Sequence, residues 1–159
     1  MSPRAAWRLE SYGFSQVYDY APGKADWLAF GLPYRGGAQL IGALLMHDVA
    51  TSSPRERLGQ VRDRLGASPH GLVVVVDHSG VVVGTLRSDA LEADPDAPVE
   101  DVMREGPSTV RPSEEVEALL KRMQSANSET VVVTRSDGTL LGIFERTRAQ
   151  QALREASQD

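Results

Sequence analysis

Val131-Val132-Val133-Thr134-Arg135-Ser136-Asp137-Gly138-Thr139-Leu140-Leu141-Gly142-Ile143-Phe144 reads as two strands of mainly apolar residues joined by an Asp-Gly turn, the pattern of a β-hairpin. Earlier in the chain, Val73-Val74-Val75, Ser79-Gly80 and Val81-Val82-Val83-Gly84 give the same apolar run, turn glycine and closing glycine, with Val73 standing for Val131 and every later position in step. The match continues upstream without a gap. Thr109, Pro112, Glu114 and Arg122 fall on Thr51, Pro54, Glu56 and Arg64, while Val116, Leu119 and Met123 fall on Leu58, Val61 and Leu65. The chain therefore carries an internal repeat, each copy reading turn, helix, strand, strand, helix.

A chain of 159 residues, 41 % apolar and 25 % charged, suits one ordinary domain or two small modules sharing a core. Its formal charge of −5 offers no broad basic field for phosphate backbones and argues against nucleic-acid binding. The lack of Cys removes disulfides, thiolate catalysis and Cys-based metal sites together. Apolar runs fall far short of the ~18 residues a membrane span needs, and the N-terminus has no apolar signal core, so a soluble, cytoplasmic protein is expected. His47, His70 and His78 lie in different elements without paired-ligand spacing and are expected to be exposed, not metal-bound. No Ser-His-Asp constellation falls in one neighbourhood, so the chain is not expected to be an enzyme.

In chain order, residues 2–13 read as a helix with Ser2 as N-cap, Pro3 in its first turn, Ala6, Leu9 and Trp7 on an apolar face and Gly13 as its stop. Phe14 to Tyr18 alternates as a short strand, followed by a turn and a helical turn around Trp27, with Tyr18 and Trp27 expected as core or docking residues. Leu40 to His47 reads as a short apolar helix. Ser53-Pro54-Arg55-Glu56 has the pattern of a capping box, and Ser113 stands in the same role for the second copy. Leu72 to Val76, without polar alternation, reads as a strand covered on both faces. Ser88 is the expected cap of a short helix to Glu92, and Thr147 with Gln150 the expected capping box of a helix ending near Glu155. Gly84 and Gly142 are read as permitting close strand approach.

Two family resemblances follow from these residues. Gly13-Phe14, Val17, Gly23, Trp27 and Gly31-Leu32-Pro33 resemble the closing segment of a rhodanese domain, over about one fifth of the chain. The cysteine loop of those sulfurtransferases has no counterpart here, so the resemblance implies no sulfur transfer by this chain. Ser108-Thr109-Val110-Arg111-Pro112, the helix Val116 to Met123 and the hairpin, with their partners in the first copy, resemble a tandem pair of cystathionine-β-synthase (CBS) domains, the Bateman module. That resemblance implies an α/β (α+β) fold of two β-α-β-β-α repeats about a pseudo-two-fold axis. The units are then 1–35, the rhodanese-like appendage, and 40–97 and 98–155, the two repeats.

The CBS resemblance also implies a cleft between the repeats for an adenosine derivative (AMP, ADP, ATP or S-adenosylmethionine), with Thr51, Val74, Arg87, Asp89, Val110, Val132, Glu145 and Arg148 at the positions that would meet it. Helices starting at Ser88 and Thr147 would aim free N–H groups at such an anion. The sequence departs from the family's ribose-binding pattern, a Thr or Ser followed three residues later by Asp: it has Arg87 and Ala90 in one copy and Glu145 and Arg148 in the other. Asp89 lies one place before the expected carboxylate. The expected function is a non-enzymatic regulatory or scaffolding module, homodimeric, sensing a nucleotide or another small anion or serving an unidentified protein partner. The alternatives are an accessory subunit to a rhodanese-type sulfurtransferase and a ligand-free structural dimer.

Overall fold

The computed structural model describes residues 3–18, 20, 23–35 and 39–156. It is a mixed α+β fold built on two sheets. In the first half, strand β1 (Thr51–Ser52) precedes helix α3 (Leu58–Ala67), the hairpin β2 (Leu72–Val76) and β3 (Val82–Arg87), and a 3-10 turn Ser88–Glu92. Helix α4 (Val99–Val102) and β4 (Arg104–Glu105) lead to the second half: β5 (Thr109–Val110), α5 (Val116–Ser125), the hairpin β6 (Thr130–Thr134) and β7 (Leu140–Glu145), and α6 (Arg146–Ala156). The sheets run β1-β2-β3-β4 and β5-β6-β7. In both, the first strand pairs parallel with the second, and the hairpin register slips at the same place, between Val75 and Val76 and between Val133 and Thr134.

Each helix lays its apolar stripe on its own hairpin, as the helical period requires. Leu58, Val61 and Leu65 pack with Val73, Val75 and Leu86, and Val116, Leu119 and Met123 pack with Val133 and Phe144. Because side chains alternate across a strand, Leu72 and Val74 point away from α3 and meet Val132 and Ile143 of the other sheet. The strands of both hairpins are thus covered on both faces, which explains their unbroken valine runs.

The lead-in segments cross over. Ile41 lies in the core of the second repeat, with its N–H donating to Glu114 O (2.9 Å), and Val99 lies in the core of the first, with its N–H donating to Glu56 O (2.9 Å). The offset that sets Val131 on Val73 also sets Val99 on Ile41 and Glu114 on Glu56, so the two contacts are one contact made twice. Met46 continues the exchange by pairing with Ile143 through two hydrogen bonds, N–H to O at 2.9 and 3.0 Å. A Cβ on Gly142 would collide with the Met46 carbonyl oxygen, and one on Gly84 would lie 2.5 Å from Met103 Sδ, so both glycines serve close approach.

Several local expectations are corrected. Ser53 and Ser113 do not cap helices. Helices α3 and α5 begin later, at Leu58 and Val116, with Arg57 and Glu115 at their N-caps, because the crossing lead-ins occupy the segments before them. The carbonyls of Ala97 and Gln39 accept the first N–H groups of α3 and α5, so no side-chain cap is required there. The Leu40–His47 segment forms only a 3-10 turn, Ile41–Leu44. Ser88 is the first residue of the 3-10 turn that follows Arg87, and Thr147 lies inside α6, which continues directly from β7.

The N-terminal part holds α1 (Pro3–Ser11) and α2 (Gly23–Ala29), with Gly13 at φ +90° after the first helix; the expected cap Ser2 lies outside the described residues. Phe14 to Tyr18 is not a strand. Trp7, Phe14 and Tyr18 are exposed, Tyr18 at 79 %, so Trp7 does not lie on a buried helix face and Tyr18, expected as a core or docking residue, is not in the core. Trp27 instead packs within its own segment, edge-on to Tyr20 with centroids 5.3 Å apart, and its indole N–H donates to Pro33 O (2.9 Å). Arg135 joins this part to the repeats, its guanidinium lying 4.3 Å over the Phe30 ring.

Candidate functional site

The two inner sheet faces meet through Leu72, Val74, Val132 and Ile143, and the same faces carry the residues at the strand ends. Arg87 pairs in register with Leu72 and Glu145 with Thr130, so directly opposed residues place both charges on the inter-sheet side. Each face therefore ends in one charged side chain, Arg87 at one edge and Glu145 at the other.

At the Arg87 edge a cavity of about 170 Å³ opens between the repeats, lined by Leu72, Thr85 and Arg87 of the first and by Pro107, Ser108, Ser128, Thr130, Val131 and Val132 of the second. Thr130 is 8 % exposed, and its Oγ1 is buried with no hydrogen-bond partner among the described residues. A buried hydroxyl left unpaired costs about 1–3 kcal/mol, so this group is poised for a ligand or a water. No ion-pair partner stands beside Arg87 among the described residues. An apolar floor, a hydroxyl cluster and one uncommitted guanidinium suit an anionic molecule with a flat apolar part.

At the Glu145 edge the repeat offset replaces Ser128 by His70 and Arg87 by Glu145. His70 Nδ1 lies 3.5 Å from Glu145 Oε2, its side chain only 9 % exposed and its Nε2 buried without a partner among the described residues. His70 is thus not the exposed residue the sequence suggested. Contact with the opposite repeat buries it.

Two larger, open grooves lie on the outer sides of the repeats, of about 750 Å³ beside Thr51, Ser53, Glu56 and Arg64 and about 620 Å³ beside Thr109, Arg111, Glu114 and Arg122. The arginines that the repeat makes equivalent, Arg64 and Arg122, are committed. Arg64 pairs with Glu56 and donates to Thr51 O (2.6 Å), and Arg122 pairs with Glu114 at 2.5 Å, which holds its guanidinium the more firmly protonated. The repeated Glu and Arg seen in the sequence are therefore structural partners within each repeat. The first outer groove also holds a buried hydroxyl without a partner among the described residues, Ser52 Oγ, and an unpaired arginine, Arg55, but sets them among the carboxylates of Glu56, Asp77 and Glu100. Although smaller, the inter-repeat cavity is the better candidate for an anion, because Thr130 and Arg87 line it with no carboxylate.

The expected site residues are distributed accordingly. Arg87 and Val132 line the cavity together. Val74 is buried in the inter-sheet contact and Glu145 faces His70 at the opposite edge. Thr51 and Val110 line the outer grooves. Asp89 is exposed and bonded to Arg104 at 2.5 Å, which holds its carboxyl below the usual range. Arg148 is exposed on α6, while Ala90, at the ribose-carboxylate position of the first repeat, is buried in that repeat's core. Thr85, Ser128 and Thr130 were not anticipated. The signal that finds them is the register, since they share the inward parity of Val74 and Val132 or face them from the repeat offset.

Residues 99–155 match the family model of the CBS domain. A cystathionine beta-synthase pair domain from Shewanella oneidensis MR-1 superposes with a TM-score of 0.68 at 18 % identity, covering 99 % of this chain and 96 % of that one. The fold is that of a CBS pair. Among similar CBS-pair structures, the cytosolic domain of the Mg2+ channel MgtE in complex with ATP superposes with a TM-score of 0.65 at 21 % identity over 71 % of this chain and 48 % of that one. CBSX2 in complex with AMP does so with a TM-score of 0.66 at 18 % identity over 74 % of this chain and 98 % of that one. No curated protein matches the sequence. No helix among the described residues of this chain is long and apolar enough to cross a membrane, and no group of three or more His, Asp or Glu among them could hold a metal.

Proposed function

We propose that the chain is a non-catalytic regulatory module that senses an adenine nucleotide in the cavity between its repeats. The observation that carries this reading is that the unpartnered, buried Thr130 hydroxyl and the free Arg87 guanidinium line one cleft, together with the hydroxyls of Thr85, Ser108 and Ser128 and an apolar floor of Leu72 and Val132. Support comes from two proteins of the same fold, whose structures hold ATP and AMP. The cavity is smaller than the roughly 300 Å³ at which small-molecule sites begin, so the cleft receives the base or the ribose and leaves the phosphates at its mouth near Arg87. Neither repeat offers the ribose a carboxylate, which lowers affinity by the roughly 1.5–3 kcal/mol of a hydrogen bond to a charged group, about ten- to a hundred-fold.

A cytoplasmic homodimer belongs to this reading. Trp7, Tyr12, Phe14, Tyr18, Phe30 and Tyr34 leave the N-terminal part with the large exposed apolar surface that association covers. The accessory sulfurtransferase reading draws no support, since the GF-x-x-V segment on which it rests forms no strand. Isothermal titration with AMP, ADP, ATP and S-adenosylmethionine tests the proposal. Saturable heat that falls at least tenfold in affinity on Arg87→Gln is the expected result, and absence of binding by all four overturns it.

A further inference from the structure

We infer that the two pseudo-equivalent edges of the inter-repeat interface are not equivalent in use: the Arg87 edge takes the anion, and the His70–Glu145 contact closes the other. This rests on the proposed nucleotide cleft and specifies which half of it works.

Positions that the repeat makes equivalent differ at the two edges. At the Arg87 edge the second repeat contributes Ser128, a small side chain whose hydroxyl donates to Thr130 O (3.0 Å), and a cavity remains. At the opposite edge the same position holds His70, whose ring reaches Glu145 of the other repeat at 3.5 Å and is nine-tenths buried there. Size and sign act together. The imidazole fills the space that Ser128 leaves, and the charge ending the strand is an anion instead of a cation. A phosphate at that edge would lose the guanidinium and face a carboxylate, which disfavours it even where space is made. The chain therefore binds one nucleotide per copy, at one edge.

The test is titration of AMP into the intact chain and three variants, with melting temperatures recorded to confirm folding. Wild type is expected to bind one equivalent per chain. Ser128→His, which copies the closed edge, is expected to weaken binding at least tenfold, and Arg87→Gln, which leaves the space but removes the charge, to do the same. His70→Ser with Glu145→Arg copies the open edge and is expected to add a second equivalent. Two equivalents in wild type, or unchanged binding in both Ser128→His and Arg87→Gln, would overturn this inference and leave the nucleotide reading standing. No binding of AMP to any form overturns this inference, and the nucleotide reading falls with it only if ADP, ATP and S-adenosylmethionine also fail to bind wild type.

Discussion

Val81 and Thr139, equivalent positions of the two repeats and each just after a turn glycine, form an antiparallel bridge between the two hairpin tips. Val82 N–H donates to Gly138 O (3.1 Å) and Leu140 N–H donates to Gly80 O (3.0 Å), two bonds that the repeat offset exchanges. The pseudo-two-fold axis thus passes between the tips, and the backbone pairing there sets the distance between the two sheet faces that enclose the cleft.

The turn glycines make this contact possible twice over. Gly80 and Gly138 have φ of +80° and +89°, and a Cβ on either would come within 3.2 Å of Thr139 Cγ2 or Val81 Cγ1. Gly138→Ala is expected to destabilise the fold by about 1–2 kcal/mol from the left-handed backbone alone. Chemical denaturation measures it. An unchanged midpoint would show that the tips separate without cost.

The core of the second repeat is its most sensitive point. Phe144 is fully buried among Ile41, Val116 and Leu119, so Phe144→Ala is expected to cost about 3–5 kcal/mol. Because Ile41 crosses from the first repeat's lead-in, unfolding should remain one transition by both fluorescence and circular dichroism. Two separated transitions would contradict the interleaved cores.

Acid should loosen the hairpin turns. Asp77 Oδ1 accepts from the N–H of Val81 (2.9 Å) and of Ser79 (2.8 Å), and Asp137 Oδ1 accepts from the Thr139 hydroxyl and N–H. These bonds hold both carboxyls below their ordinary value of 3.8. A carboxyl with a depressed folded pKa contributes stability in full above its unfolded value and loses it as the pH falls through the folded one. Melting temperatures followed downward from about pH 6 should therefore fall below about pH 4, and the fall should be smaller in Asp77→Asn with Asp137→Asn. An identical decline in that double variant would assign the acid sensitivity elsewhere.

Much of the fold is legible in the sequence. The valine runs, the turn glycines and the constant offset between copies locate both hairpins and both amphipathic helices to within a short margin. What is not legible is everything that depends on the crossing lead-ins. Ser53-x-x-Glu56 has the pattern of a capping box, yet the acceptor at the helix start, beside Leu58, is the carbonyl of Ala97 from beyond the whole hairpin. No local pattern announces that. The site is legible only in part, for the same reason. Arg87 and Val132 are found by position, whereas Thr130 and His70 gain their meaning from facing the other repeat, and a histidine with no nearby partner in sequence reads as exposed. The aromatic N-terminal part misleads in the opposite sense, because large rings suggest burial and only Trp27 among the expected ones finds partial cover.

The most direct measurement is a two-dimensional NMR titration of the labelled chain with AMP. The nucleotide-cleft account predicts that amide shifts concentrate at Thr85, Arg87, Ser108, Ser128 and Thr130, with little change at Thr51, Glu56 and Arg64. Shifts confined to that outer groove, or to Arg111, Glu114 and Arg122, would contradict it.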